Sequence, residues 1–426
     1  MMFKRIVISA VLIILTSFFL FPVSFYFLPE FVNSKIMLAG FGIVAFFYDG
    51  ITRQSFTVPK YVLYSAFLAF VFSLWCLFSV AVNGTEDLLY ANYWVSFFTW
   101  LFGGYAICFL IRQMQGKVDL SSLTFYLAAV CLAQCILAEW IDHSPSFQHA
   151  VDSVFVQGQE FYHDIRRLYG IGASLDTAGV RFSVVLVLIA HQLSTDERII
   201  NNIALSLFYL ISFAVIVIIG SIIARTTWVG AIAGLFYMMV HNLRLNRGVM
   251  KRSQIRYWAL FIGITFFSVL ICVMLYRMSP EYRNNLRFGF EGFFNWVETG
   301  VFRTDSTDKL NRIMWVWPND TRSWILGKGL FDNWVFGTDI GYCRFTLYCG
   351  LVGLILFSLF FVYNSFSLIR RFPNVTFFAL MLLALTFVVW LKVATDLFFI
   401  YALLFWLPEE TERELEPCTP ILGKTD

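Results

Sequence analysis

Apolar runs long enough to cross a lipid bilayer recur along almost the whole of this chain. A bilayer core about 30 Å thick needs roughly 20 apolar residues per helix, and the first such run, IVISAVLIILTSFFLFPVSFYFL, follows directly on Lys4 and Arg5. Hydrophobic residues make up 59% of the 426 positions and charged residues only 14%. These proportions exclude an ordinary soluble domain and are typical of a polytopic membrane protein. The net charge of +3 is too small to indicate a nucleic-acid partner.

The runs predict an all-α protein with about twelve transmembrane helices. The predicted spans lie at 5–27, 34–48, 60–82, 92–111, 121–140, 175–192, 201–220, 223–241, 256–276, 340–364, 373–391 and 396–408.

Lysine and arginine cluster in alternate loops between these spans. Because short cytoplasmic loops carry the excess of positive charge, this alternation predicts that both termini are cytoplasmic. The basic residues of these loops are Arg53, Lys60, Arg112, Lys117, Arg198, Arg244, Arg247, Lys251, Arg252, Arg256, Arg370 and Arg371.

Two long segments, 141–174 and 277–339, then fall on the outer side. Loops of this length are usually functional or disordered, and the aromatic runs FFNWV and SWILGKGLFDNWVF argue against disorder. We expect short helices at the outer membrane surface, within a single integral membrane domain that covers residues 1–426.

Arg225 stands in the stretch SIIARTTWVGAI, at the outer start of the eighth predicted span. No acidic residue lies within twenty positions on either side, and a charge at the edge of the hydrocarbon costs a few kcal/mol unless it is paired or wetted. One reading is that its side chain simply reaches the membrane interface. The other is that it faces a polar cavity.

Further arginines favour the cavity. Arg166 and Arg167 precede a Gly-x-Gly turn, and Arg181 lies inside the sixth span, five residues after Asp176. The planar fork of arginine suits phosphate oxygens. Since such a ligand would reach both spans and loops, a phosphate-bearing lipid is the natural candidate.

The tenth span begins at a glycine-rich segment that contains three polar residues. Asp339, Tyr342 and Arg344 lie at the predicted start of an apolar helix. Each also has a structural reading: a helix cap for Asp339, an interfacial ring for Tyr342 and a snorkelling cation for Arg344.

Three blocks together resemble the O-antigen ligase and O-antigen polymerase (Wzy-type) superfamily of bacterial membrane glycosyltransferases. They are RLYGIGASLDTAGVRF (167–182), ARTTWVGAIAGL (224–235) and LGKGLF with DIGYCRFTLYCGLVGLILF (326–357). Two departures are evident: Ala224 replaces the serine that often precedes the arginine, and the His-Asn of ligases is absent at Asp339. The second departure favours the polymerase branch.

The resemblance implies a metal-independent glycosyltransferase of the GT-C kind in the bacterial inner membrane, active on the periplasmic face. A polymerase of this family transfers a glycan from undecaprenyl diphosphate to the terminal sugar of another lipid-linked repeat unit, in O-antigen, capsule or exopolysaccharide synthesis. A lipid-linked oligosaccharide is therefore both donor and acceptor, no cofactor is implied, and a chain-length regulator protein would be a further partner.

The motif match implies catalytic roles for Arg167, Arg225 and Asp339. Arg167 and Arg225 would stabilise the departing diphosphate, with Arg166, Arg181, Tyr342 and Arg344 binding substrate. Asp339 would accept the acceptor proton, and its rivals for that role are Glu160, His163 and Asp164. Two alternatives stay open: an O-antigen ligase that transfers polysaccharide to lipid A core, and a flippase or other transporter of lipid-linked oligosaccharide.

Overall fold

The computed structural model describes residues 2–29, 31–56, 58–164, 167–246 and 252–408. These residues are almost entirely helical, as the apolar runs predict. One small two-stranded antiparallel sheet pairs β1 (Ser24–Phe25) with β2 (Phe155–Val156), and a short 3-10 turn covers Pro373–Val375. The helices are α1 (Met2–Leu20), α2 (Ser34–Thr52), α3 (Lys60–Asn83), α4 (Tyr93–Gln115), α5 (Leu120–His143), α6 (Pro145–Val154), α7 (Gln159–Asp164), α8 (Leu175–Thr195), α9 (Glu197–Asn201), α10 (Ile203–Ile223), α11 (Thr227–Asn246), α12 (Arg252–Met278), α13 (Pro280–Gly289), α14 (Glu291–Thr299), α15 (Asp305–Ile313), α16 (Thr321–Leu326), α17 (Asn333–Phe336), α18 (Gly341–Arg371), α19 (Thr376–Val389) and α20 (Phe398–Leu404).

Among the described residues, eight helices are long and apolar enough to cross a membrane: α2, α3, α4, α5, α8, α10, α12 and α18. Shorter apolar helices lie at Ile6–Leu20, Thr227–His241 and Pro373–Val389. A helix lies in each of the twelve predicted segments, and α20 is the shortest of them. The chain is therefore an all-helical membrane-embedded protein with several spans.

The first helix is shorter than the span predicted at 5–27. It ends at Leu20, because Pro22 disfavours helical geometry at the residue before it and cannot continue the ladder. The following residues instead form β1, whose partner β2 comes from the segment 141–174. Both long segments between the spans carry short helices, α6 and α7 in the first and α13 to α17 in the second.

The chain forms two compact units. The first unit comprises Met1–Ser34 and Leu120–Thr304, and the second comprises Lys35–Asp119 and Asp305–Asp426. The large loop 277–339 is thus divided between them. The single integral membrane domain expected from the sequence stays a prediction.

Helix α8 is the most buried candidate span and forms the centre of the first unit. It packs closely against α11, where a Cβ on Gly230 would lie only 2.1 Å from the Cα of Ser183. At the same contact the Ser183 hydroxyl donates a hydrogen bond to the Thr226 carbonyl (3.0 Å) and accepts one from the Gly230 N–H (3.1 Å). Small residues of this kind allow apolar helices to approach within a membrane.

An aromatic core holds the second unit together. Phe357 of α18 stacks on Phe72 of α3, with ring centroids 4.4 Å apart, and also on Trp390 after α19, at 5.4 Å. Tyr90 and Tyr93 pack edge-on against the same Phe357 ring. Buried aromatic pairs in these offset and edge-to-face arrangements each contribute about 0.5–1.5 kcal/mol beyond their buried area.

Helix α18 is interrupted at Gly350, a break that the prediction of a continuous span at 340–364 missed. Gly350 has φ +68° and ψ −177°, a conformation that essentially only glycine adopts. The carbonyls of residues 347–349 accept hydrogen bonds from the Lys328 and Gly329 N–H groups, the Ser79 hydroxyl and the Trp75 indole. The break is compatible with an apolar surrounding because these carbonyls are satisfied by protein.

Replacing Gly350 with alanine should strongly destabilise the second unit. A Cβ there would lie 2.0 Å from the Ile325 carbonyl oxygen, in a backbone conformation that alanine rarely adopts. We expect a loss of more than about 3 kcal/mol, measured by thermal unfolding of the purified protein in detergent. The control is Gly263→Ala in α12, where the new methyl meets open space and the effect should stay within about 1 kcal/mol. Equal melting temperatures for the two variants would contradict this account of the break.

Candidate anion-binding site

Arg167 and Arg225 meet at one aromatic ring in the first unit. The guanidinium carbon of Arg167 lies 3.8 Å from the centroid of the Phe288 ring, and that of Arg225 lies 4.4 Å from the same centroid. The two guanidinium carbons are therefore no further apart than the sum of these distances. Two arginines that are 58 positions apart along the chain thus form a single half-buried cationic site.

Glu291 supplies the counter-charge that the sequence around Arg225 lacks. Its carboxylate accepts a hydrogen bond from the Arg225 guanidinium, across 66 positions of sequence. The side chains are 15% and 18% exposed. The pair is thus largely desolvated, and its Coulombic attraction is stronger than that of a surface ion pair. This ion pair offsets the desolvation free energy of placing the Arg225 charge at the edge of the apolar bundle.

Asp176 provides a second carboxylate next to the two arginines. Its carboxylate accepts a hydrogen bond from the Thr226 hydroxyl and interacts electrostatically with Arg167. Burial lowers the pKa of the Arg167 guanidinium, and the nearby Asp176 carboxylate opposes that shift. Even so, a guanidinium stays protonated at any physiological pH.

The Arg167 guanidinium donates no hydrogen bond to any residue that the structure describes. Its stacking on Phe288 and its electrostatic interaction with Asp176 leave its five N–H donors for another acceptor. By contrast, Arg225 is already bound to Glu291. The arrangement can therefore receive an anion at Arg167 and hold a second anionic group at Arg225 in place of Glu291.

The loop that follows Arg167 is fixed by a buried glutamine from α5. Gln134 donates to the Ile171 carbonyl (2.9 Å) and accepts from the Ile171 N–H (2.8 Å). The adjacent glycines permit this contact: a Cβ on Gly170 would meet the Gln134 side chain at 2.4 Å, and Gly172 has φ +72°. Gln134 therefore sets the position from which Arg167 extends.

The corner that carries Arg225 is fixed from α8. Residues Ala224 and Thr226 pack against Gly179, where a Cβ would lie 2.8 Å and 3.0 Å from their side chains. The Thr227 hydroxyl donates to the Gly220 carbonyl at the end of α10 (2.9 Å). Close packing on both sides holds the turn between α10 and α11 in one place.

Phe288 is positioned by anchors at both ends of α13. At its start, Tyr282 donates to the Glu139 carboxylate (3.1 Å) and stacks on His143. Burial and the neighbouring Glu139 raise the pKa of Tyr282 to about 12, so its hydroxyl remains a donor at neutral pH. At its end, the Trp228 indole donates to the Gly289 carbonyl (3.0 Å).

The other residues expected in the first unit lie elsewhere or outside the description. The guanidinium of Arg181 lies 5.7 Å from the Phe21 ring centroid. Glu160 is exposed on α7. Arg166 lies outside the described residues, as do the side chains of His163 and Asp164.

The remaining predicted site residues belong to the second unit. Arg344 donates through two nitrogens to the Phe331 carbonyl (3.0 and 2.6 Å) and lies 4.0 Å from the centroid of the Phe331 ring. Asp339 is half-buried just before α18 and interacts electrostatically with Arg344. The Tyr342 hydroxyl donates a hydrogen bond to the Phe387 carbonyl (3.0 Å), which is a structural contact.

Three important residues were not identified from the sequence: Phe288, Glu291 and Gln134. Phe288 and Glu291 lie in an aromatic stretch, FGFEGFF, that gives no sign of which side chain faces an arginine. A signal did exist for Gln134, because a lone amide within the apolar run AAVCLAQCILA needs a polar partner at that depth.

In comparisons with known protein families, curated proteins and solved structures, the chain shows no significant match. The fold and the site therefore define a class: an all-helical polytopic membrane protein with a half-buried arginine pair at a corner of its first unit.

A double-mutant cycle should detect the Arg225–Glu291 pair. We expect Arg225→Gln and Glu291→Gln each to lower thermal stability, because each leaves a desolvated charge unpaired. The double variant should lose less stability than the two single variants lose together. A coupling free energy of about 1–3 kcal/mol is expected. The control cycle on Arg287 and Glu298, whose side chains are 38% and 49% exposed, should show a much smaller coupling, because solvent screens an exposed ion pair. Additive effects at Arg225 and Glu291 would contradict the pairing.

Proposed function

We propose that the chain is a polysaccharide polymerase of the O-antigen polymerase kind, which transfers a glycan from undecaprenyl diphosphate to the terminal sugar of another lipid-linked repeat unit. The convergence of Arg167 and Arg225 on Phe288 is the observation that carries the proposal. The resemblance of the three sequence blocks to that superfamily supplies the reaction class.

The chemistry of the donor explains why two arginines are suited to this reaction. As the glycosidic bond breaks, negative charge grows on the oxygen of the departing lipid diphosphate. Guanidinium groups held in place before reaction stabilise that charge, and removal of one such donor typically costs about 3–4 kcal/mol of barrier. Arg167 would contact one phosphate, and Arg225 would exchange Glu291 for the other.

On the acceptor side, the proposal assigns proton acceptance to Asp339. It stands at the entry of α18, close to the Arg344 charge, in a half-buried position. A carboxylate at such a position can accept the proton of the attacking sugar hydroxyl or orient that hydroxyl. An oxocarbenium-like transition state would reduce the need for a strong base.

We further propose that the protein lies in the bacterial inner membrane and has twelve spans in a GT-C arrangement. Both termini would then be cytoplasmic, and the arginine site would face the periplasm. Eight of the described helices are long and apolar enough to cross a membrane, and the proposal adds the shorter helices of the other four predicted segments. Two guanidinium groups can neutralise a diphosphate, so we expect transfer to proceed without a divalent metal.

The arginine roles are tested by elongation of a defined undecaprenyl-diphosphate oligosaccharide with purified protein in the presence of a metal chelator. The wild-type chain should yield a ladder of longer lipid-linked products by mass analysis. Arg167→Ala and Arg167→Lys should each lower the rate about 100-fold or more, since lysine keeps the charge but lacks the bidentate fork.

Arg287→Ala is the matched control, because Arg287 is an exposed arginine of the same unit that pairs with Glu298. It should retain wild-type elongation. A normal ladder from Arg167→Ala would reject the assignment of this site. Transfer that occurs only when lipid A core is supplied would identify a ligase instead.

A separate substitution tests the acceptor side. Asp339→Asn keeps the size of the side chain and removes its ability to accept a proton, so we expect turnover to fall about 100-fold or more while donor binding is unchanged. The same reaction with saturating donor measures this. Retention of most of the turnover would exclude Asp339 as the base and leave the arginine assignment intact.

A further inference from the structure

Helix α14 presents an apolar face that other described residues do not cover. Phe293, Trp296 and Val297 lie on one side of this nine-residue helix and are 52%, 55% and 63% exposed. Their spacing of three and four positions places them on a single stripe. Val301 and Phe302, just after the helix, are exposed as well.

Two other residues of α14 attach the helix to the arginine site and to α12. Glu291, at its first position, binds Arg225. Phe294 stacks on Tyr276 near the end of α12, with ring centroids 5.5 Å apart and nearly parallel. Immediately before the helix, Phe290 packs edge-on against Trp228 (5.2 Å).

These contacts locate α14 relative to the membrane. The candidate span of α12 runs from Ile255 to Met278, so Tyr276 lies about half a turn from the end of this apolar segment. The ring that stacks on Tyr276 therefore stands at the same depth. Tryptophan and phenylalanine on an exposed helical face at this depth are typical of helices that lie in the membrane interface.

We propose that α14 is an interfacial helix that inserts Phe293, Trp296 and Val297 into the outer boundary of the lipid bilayer. The contact between Phe294 and Tyr276, at the end of a candidate span, favours lipid rather than a soluble partner as the occupant of this face. The exposed Arg283, whose guanidinium carbon lies 5.4 Å from the centroid of the same Tyr276 ring, suits a phosphate headgroup. The inference does not depend on glycan transfer.

Insertion of α14 into the bilayer would also stabilise the arginine site. Glu291 and Trp296 are on the same rigid turn-and-a-half of helix, so the depth of α14 in the membrane sets the position of the Glu291 carboxylate beside Arg225. Lipid packing would thereby stabilise the anion-binding corner from outside the protein.

Spin-label accessibility measures the depth of this helix. Trp296→Cys and Glu298→Cys place a nitroxide on the apolar stripe and on the opposite, exposed side of the same helix. The protein is reconstituted in nanodiscs of phosphatidylethanolamine and phosphatidylglycerol, and the labelled wild-type chain gives the background from native cysteines. Phe293→Cys is a second stripe position in case the tryptophan variant folds poorly.

Molecular oxygen should relax the Trp296→Cys and Phe293→Cys labels more strongly than a water-soluble nickel chelate does, and the order should reverse for Glu298→Cys. Stripe labels as accessible to the chelate as the Glu298→Cys label would overturn the proposal. Stripe labels shielded from both reagents would also overturn it, because they would indicate a protein partner on this face.

Discussion

Two positively charged groups that share one aromatic ring repel each other, and they stay together only where other charges and rigid supports compensate. Arg167 and Arg225 both contact Phe288, and the surrounding structure supplies the compensation. Glu291 pairs with Arg225, while Asp176 interacts with Arg167 and is itself held by Thr226. The internal carboxylates thus balance the two cations, and an incoming polyanion would replace a carboxylate rather than meet an unscreened cation pair. Such exchange limits the electrostatic cost of holding two guanidinium groups together.

The supports of this corner come from polar and small residues inside apolar helices. Gln134 holds the loop after Arg167 through both its amide groups. Gly179 and Gly230 allow α8 to approach the start of α11. The second unit uses the same means at Gly350, where a break in α18 is closed by the backbone of Lys328 and Gly329. In both units, irregular backbone beside apolar helices is matched by protein hydrogen bonds, as an apolar environment requires.

Patterns local in sequence allowed much of the fold to be predicted. Each apolar run contains a helix, because burial of the backbone in lipid forces that choice, and Pro22 alone explains why the first helix is shorter than expected. Arg167 and Arg225 were singled out from the sequence as residues of one site, and they do share a ring. The Glu291 partner could not be foreseen, since 66 positions separate it from Arg225. Nor could the Gly350 break, because a glycine in an apolar run is equally compatible with an unbroken helix. Arg344 and Asp339 lie in the other unit, so the sequence grouping of all the charged residues into one site remains a hypothesis.

Direct ligand binding tests the central claim, that the arginine corner receives a lipid diphosphate. Native mass spectrometry in detergent can compare undecaprenyl diphosphate with undecaprenyl monophosphate on the wild-type chain, on Arg167→Ala and on the Arg287→Ala control. The account predicts that the wild-type chain and the control bind the diphosphate more tightly than the monophosphate, and that Arg167→Ala loses about tenfold or more in diphosphate affinity. Unchanged diphosphate affinity in the Arg167 variant would contradict it.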